Sequence, residues 1–216
     1  PGFLRVPFND IPAIIAAAKA HPDIAAILVE PILGEKGIIV PADDYLRKIR
    51  KICDEHKWLM MLDEVQTGLG RTGKLWGVEH WDVVPDILTV AKSLGGGVMP
   101  ISAVTTTEEI FQPMMYPNPF MHTTTTGGGA LACSAAIAAV HVTLREKLWE
   151  QAAEKGNYLM PHLQKFVVQY PHIFERVTGK GLLIGLHFKN PETGYKAASG
   201  LFKRGVLVAG TLTSAQ

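Results

Sequence analysis

Two cysteines, Cys53 and Cys133, are all the thiol chemistry in this 216-residue chain. They stand far apart and neither belongs to a C-x-x-C pair, so a disulfide framework or a zinc site has no basis. A reducing compartment is the simple reading. Charge of one sign is also missing: 21 Lys and Arg against 20 Asp and Glu leave a formal +1. A nucleic-acid binder would carry a basic face instead. No apolar run approaches the ~18 residues of a membrane span. The opening PGFLRVPFND has no basic start followed by an apolar stretch, and so no visible secretory signal. It also has no initiating Met and reads like the middle of a domain, as expected of a piece of a longer protein. His80, His122 and His141 show no metal-ligand spacing. These absences point to a cytoplasmic chain with no metal, nucleic acid or membrane to hold.

What is present is enough apolar content, 47% of residues, for a substantial core. The chain is organised around Leu59 to Gly97, which reads LMMLDEVQTGLGRTGKLWGVEHWDVVPDILTVAKSLGGG. Two short apolar runs, Leu59 to Leu62 and Ile87 to Val90, end abruptly at Asp63 and, behind Ala91, at Lys92. Runs of that length without alternation predict strands buried on both faces of a parallel sheet. Ligands bind outside the carboxyl ends of such strands, where these two charges would lie. A buried carboxylate and a buried amine are each costly unless something compensates them. Pyridoxal phosphate needs both, a lysine for its aldehyde and an acid for its ring nitrogen.

Elsewhere the pattern alternates helix and strand. Ile11 to Lys19 is an alanine-rich helix stopped by His21-Pro22, and Ala25 to Val29 is a strand leaving through Glu30-Pro31. Pro41 to Asp44 starts a helix on which Tyr45, Leu46, Ile49, Ile52 and Cys53 share a face. Such alternation predicts a mainly parallel sheet with right-handed crossovers. Gly68 to Gly77 holds four glycines and Arg71, a loop whose backbone either approaches something closely or merely turns. Ser102 to Thr107 is a further short strand leading into Glu108 to Phe111, and Met114 to His122 is broken by proline. Gly127 to Leu144, dense in small residues, predicts a helix packed closely on the sheet. Glu146 to Tyr170 is a longer amphipathic helix, Gly179 to Phe188 a strand flanked by glycines, Lys196 to Arg204 a short helix and Val206 to Ala209 a last strand. The change of texture near Leu144 divides the chain into residues 1–144, part of a large domain, and 145–216, part of a smaller α/β domain.

The stretches EPILGEKG, LDEVQTGLGRTG, PDILTVAKSLGGGVMPI and NPFMHTTTTGG, in that order, resemble the signature blocks of class III (subgroup II) pyridoxal-phosphate aminotransferases. Within the family, the wording around Lys92, the threonines before the glycines and VLVAGTL near the end resemble putrescine (diamine) aminotransferases, although Thr126 and Gly129 stand where those carry Phe and Asn. The resemblance implies a fold-type I α/β architecture and transfer of an amino group from a primary diamine such as putrescine to a 2-oxo acid such as 2-oxoglutarate. It implies that Lys92 carries the cofactor as an imine and moves the proton, and that Asp63 pairs with the ring nitrogen. Val65 would pack on the ring, Gln66 would bond its phenolic oxygen, and Thr125 would bind the phosphate of the neighbouring subunit in a homodimer. Glu35 becomes a substrate-side candidate, while Glu30 and Arg71 read equally well as structural. The chain covers about half of the family's length, so on its own it is expected to fold poorly and be inactive.

Within the family an ornithine, acetylornithine or 4-aminobutyrate type of transaminase, or an aminomutase, is the alternative. From another class, LMMLDE resembles a Walker B strand and Ala-Lys-Ser the end of a Walker A. A phosphate loop needs its glycines ahead of the lysine so that backbone amides wrap the phosphates. Here Gly95, Gly96 and Gly97 follow Lys92.

Overall fold

A computed structural model describes residues 2–120 and 122–210. Its centre is a four-stranded sheet of β1 (Ala26–Val29), β2 (Leu59–Asp63), β3 (Ile87–Val90) and β4 (Ala103–Thr106), in that order. The first three run parallel, with Ala26 opposite Leu59 and Asp63 opposite Thr89; β4 returns antiparallel along β3. All three parallel strands therefore deliver their carboxyl ends, and the charged residues after them, to one edge.

Two helices cover one face, α1 (Ile11–Ala20) and α2 (Tyr45–His56). In α1, Asp10 caps the first turn by accepting the Ala13 N–H at 2.9 Å, and Pro12 sits in the first turn, where its missing N–H costs nothing. All five apolar residues predicted to share a face of α2 are buried, packed with Ile14, Met60, Leu62 and Trp81 in one core. Lys57, at φ 58°, ends α2 in the left-handed region.

The other face departs from the expectation of strands buried on both sides. Along β2, Met60 and Leu62 are buried while Leu59, Met61 and Asp63 are half-buried; Leu28 is 56% and Val104 64% exposed. The described helices supply a layer for one face and only a partial one for the other.

After β4 come a short helix, α3 (Glu108–Phe111), and an irregular stretch, then α4 (Ala130–Arg145) and α5 (Leu148–Gln169). The predicted close packing of α4 is found at the end of β3 and the turn after it, where the small residue Ala136 meets Val90 and Leu94, whereas Leu131 and Ile137 are exposed. The predicted strand Gly179 to Phe188 is instead the turn and second arm of a hairpin, β5 (Phe174–Lys180) and β6 (Leu183–Phe188). Gly181, at φ 54°, permits the tight reversal. The last helix, α6 (Pro191–Phe202), starts five residues before its predicted Lys196, because Asn190 caps it through the Thr193 N–H at 2.8 Å and Pro191 opens its first turn. Val206 to Ala209 is not a strand, and Leu207 is 83% exposed; no described neighbour offers it a ladder. Thr211 and Leu212, the end of the VLVAGTL wording, lie outside the described residues, as does Met121 in the proline-broken stretch.

The hairpin docks back on the first sheet's loops. Leu183 enters the main core, Leu182 donates its N–H to the Arg71 carbonyl at 3.0 Å, and the Thr178 hydroxyl donates to the Ile38 carbonyl at 2.6 Å.

Candidate active site

The strand ends gather most of the residues singled out in the sequence. Asp63 closes β2, half-buried, and its Oδ1 accepts the Val65 N–H at 2.9 Å. A carboxylate offers about four acceptor sites, so this bond leaves capacity for another donor. Glu30 follows β1 and accepts the Gly34 N–H at 3.0 Å. Burial pushes its pKa above the ordinary carboxylate range; the Gly34 N–H opposes this, Asp63 adds to it and Lys92 opposes it. Asp63, Glu35 and Lys92 thus all lie close enough to act on Glu30 electrostatically at this edge. Gln66 reaches across to the loop after β1, where its Nε2 donates to Glu35 Oε1 at 3.0 Å.

Lys92 corrects one expectation. It is exposed rather than buried, and lies beside a surface hollow of about 490 Å³ lined by Ala91, Pro100, Ile101 and Ser102. The chain leaves β3 sharply there. Lys92 sits at φ 44°, in the left-handed region that a side chain enters at some cost, and opens a 3-10 turn, Lys92–Gly95. The turn is held by the Leu94 N–H on the Ala91 carbonyl at 2.9 Å, and α4 packs against it so closely that a Cβ on Gly96 would lie 3.1 Å from the Ala139 methyl. The turn is therefore closely packed while Lys92 itself is exposed. The glycines that follow shape this turn and do not wrap ahead of the lysine as in a phosphate loop.

Thr125 stands apart. Residues 122–130 are all exposed, and among the described residues no side-chain hydrogen bond ties Thr125 to the strand ends. Arg71 is exposed as well and contributes its backbone carbonyl to the hairpin.

Sequence reasoning missed Glu64, which is fully buried next to Asp63. Its carboxylate accepts the Thr67 hydroxyl, the Gly77 N–H at 2.9 Å and the Val78 N–H at 2.8 Å. Burial raises its pKa against the pull of those bonds. The glycine-rich loop after Asp63 is wound around this one side chain. A Cβ on Gly77 would lie 2.7 Å from Thr67 Cβ, and one on Gly68 2.8 Å from the Glu64 carbonyl oxygen. The signal was the second acid of Asp-Glu directly ahead of the Thr-Gly loop. Glu64 holds the frame in which Asp63, Val65 and Gln66 sit.

Comparison with solved structures bears on the fold and the family. The chain superposes on ornithine aminotransferase from Plasmodium yoelii with a TM-score of 0.89 and 39% identity, covering 96% of this chain and 54% of that one. Acetylornithine aminotransferase from Elizabethkingia anophelis gives a TM-score of 0.90 and 39% identity over 98% of this chain and 53% of that one. An ornithine aminotransferase from Toxoplasma gondii, described with partial occupancy of PLP at its active site, gives 0.91 and 35% identity over 98% and 49%. The chain thus spans about half the length of the solved structures it matches. The class-III aminotransferase model matches residues 7–214, and the chain belongs to that family.

Proposed function

We propose that the full-length protein carrying this chain is a pyridoxal-phosphate-dependent aminotransferase that takes the terminal amino group of a short aliphatic amine to a 2-oxo acid such as 2-oxoglutarate. The observation that carries this reading is the placement of Asp63, Val65 and Gln66 at the end of β2 beside Lys92 at the end of the adjacent parallel strand β3.

The residues fit the cofactor by the chemistry of their donors and acceptors. Asp63 keeps acceptor capacity for a protonated ring nitrogen, and Val65 offers an apolar side chain for the ring. Gln66 Nε2 spends one hydrogen on Glu35 and retains a second for the phenolic oxygen. Lys92 presents a primary amine at the same edge. When bound, pyridoxal phosphate supplies an aldehyde and an electron-withdrawing ring that stabilises the charge left by a departing proton. Asp63 would hold the group by keeping its ring nitrogen protonated. Lys92 Nζ would take the proton from the donor's carbon and return it. The acids Glu30, Glu35 and Asp63 favour a donor with a second positive charge, which putrescine and ornithine share. The motif wording supports putrescine; the names of the similar solved structures support an ornithine-type donor. We also read the protein as a cytoplasmic homodimer in which Thr125 serves the partner's phosphate, with the two domains meeting at Leu144.

The test is borohydride reduction of the full-length protein with its cofactor, followed by peptide mass mapping. The reduced tag is expected on Lys92, and Lys92→Ala is expected to stop turnover while some cofactor stays bound. A tag on another lysine, or none, overturns the reading. Profiling putrescine, ornithine and acetylornithine as donors then identifies the substrate.

A further inference from the structure

The loop after β1 contains a glycine whose necessity lies in another residue. Gly34 is held from both sides: its N–H binds Glu30 Oε2, and neighbouring Leu33 exchanges two backbone hydrogen bonds with Ile39, at 3.1 and 2.9 Å. Gly34 does not occupy the left-handed region, so its backbone conformation alone does not call for glycine. Space does. A Cβ built on Gly34 would lie 1.4 Å from Gln66 Oε1, 2.4 Å from its Cδ and 3.2 Å from Nε2. The amide is gripped between this bare Cα and Glu35, which takes its Nε2 hydrogen. Its Oε1 is buried there and finds no hydrogen-bond partner among the described residues, an unfavourable arrangement for an amide oxygen. A flexible side chain kept in an unfavourable pose by tight neighbours is being positioned for its other end.

We propose that Gly34 is a positioning residue: its missing side chain is the slot that seats the Gln66 amide, with Glu30 fixing the slot's backbone and Glu35 its far wall. This rests on the reading of Gln66 as partner to the cofactor's phenolic oxygen, and names what sets that partner's geometry. The atoms that a methyl at 34 would strike are the end of a movable side chain, so Gly34→Ala should swing the amide away and leave the fold intact.

The experiment compares full-length wild type, Gly34→Ala, Gln66→Ala and the double variant. Three quantities are read: the absorption band of bound pyridoxal phosphate and its pH midpoint, the cofactor Kd by equilibrium dialysis, and the melting temperature of the cofactor-free protein. Gly34→Ala is expected to reproduce the spectral shift of Gln66→Ala and to weaken cofactor binding about ten- to a hundred-fold, as for a lost hydrogen bond to a charged oxygen. The melting temperature should stay at the wild-type value, and the double variant should be no worse than Gln66→Ala, the non-additivity expected when two changes remove one interaction. If Gln66→Ala leaves the spectrum unchanged, the reading of Gln66 fails and the inference falls with it. If Gln66→Ala has its effect and Gly34→Ala does not, the inference alone is overturned. A Gly34→Ala protein that melts lower or fails to fold, or whose cost persists undiminished in the Gln66→Ala background, shows a glycine serving its own turn and equally overturns it.

Discussion

His80 sits half-buried on the 3-10 turn Gly77–Trp81, with Nε2 3.0 Å from the Thr72 carbonyl oxygen and 3.2 Å from its hydroxyl. The carbonyl can only accept, so Nε2 carries the hydrogen. Burial pushes this imidazole below its ordinary pKa; Lys180 and Lys74 push the same way, while the Thr72 carbonyl and Glu79 oppose them. A lowered folded-state pKa means that the stability it contributes is present above the unfolded value of about 6.5 and is lost as pH falls through the folded value. His187, also lowered mainly by burial, acts in the same sense. Glu30 and Glu64, whose pKa values are raised, act oppositely: their contribution is present at low pH and fades as pH rises through their folded values. The clean measurement is therefore a difference. Melting temperature followed from about pH 7 to 5 is expected to fall less steeply in His80→Gln, which keeps a donor but cannot titrate, than in wild type. Equal slopes would show that His80 titrates alike in both states.

At the scale of elements, the junction of α5 with the hairpin decides how the second sheet is seated. Gly156 is buried on α5, and a Cβ there would lie 2.2 Å from the Gly181 carbonyl oxygen; a Cβ on Gly181 would lie 2.3 Å from the Thr72 carbonyl carbon. Three backbones thus meet with no side chain between them. Helix propensity alone favours Ala over Gly by about 1 kcal/mol. The clash is with backbone, which cannot move aside as a side-chain end can, and overpacking costs roughly 1–3 kcal/mol or more. The clash wins, so Gly156→Ala in the full-length protein should lower the denaturant midpoint despite the better helix former. A raised midpoint would show that the helix and hairpin yield. Pro161 lies within the same helix, where its ring removes one intrahelical bond, so α5 depends on this docking more than its length suggests.

For the molecule as a whole, accessible surface is the informative quantity. The chain exposes 14339 Å², against roughly 9,800 Å² for a compact protein of its 23.5 kDa mass. Apolar side chains contribute to it: Leu28 and Val104 on the sheet, Val98 after the turn that follows Lys92, and Leu131 and Ile137 on α4 are each more than half exposed. Thr125 is exposed and precedes α4 in the chain. Our reading that it serves a neighbouring chain's cofactor predicts complementation. Lys92→Ala and Thr125→Asp are each expected to be inactive in the full-length protein, the second because a carboxylate opposes a phosphate. Unfolded and refolded together, they should recover activity, because a mixed dimer has one site with both defects and one with neither. If Thr125 acts within its own chain, every site keeps one defect; a dead mixture, with mixed dimers verified by mass, would refute the shared site.

What could be read from the chain alone was what local pattern encodes. The apolar runs marked β1, β2 and β3 to within a residue, and helical spacing named every buried residue of α2, because periodicity reports the face that must leave water. Asp63 and Lys92 stood out as candidates because each follows such a run at the carboxyl end of a strand, where ligands bind in sheets of this kind. The tertiary structure decided the rest. Whether Lys92 is buried depends on the layers over its strand, and whether Val206 to Ala209 forms a strand depends on a neighbour with free N–H and C=O groups. The slot at Gly34 and the loop wound around Glu64 join residues 32 and 13 positions apart. The first arises where a crossover brings two strand ends together and the second where one loop folds back on itself, and no periodicity along one segment carries their signature.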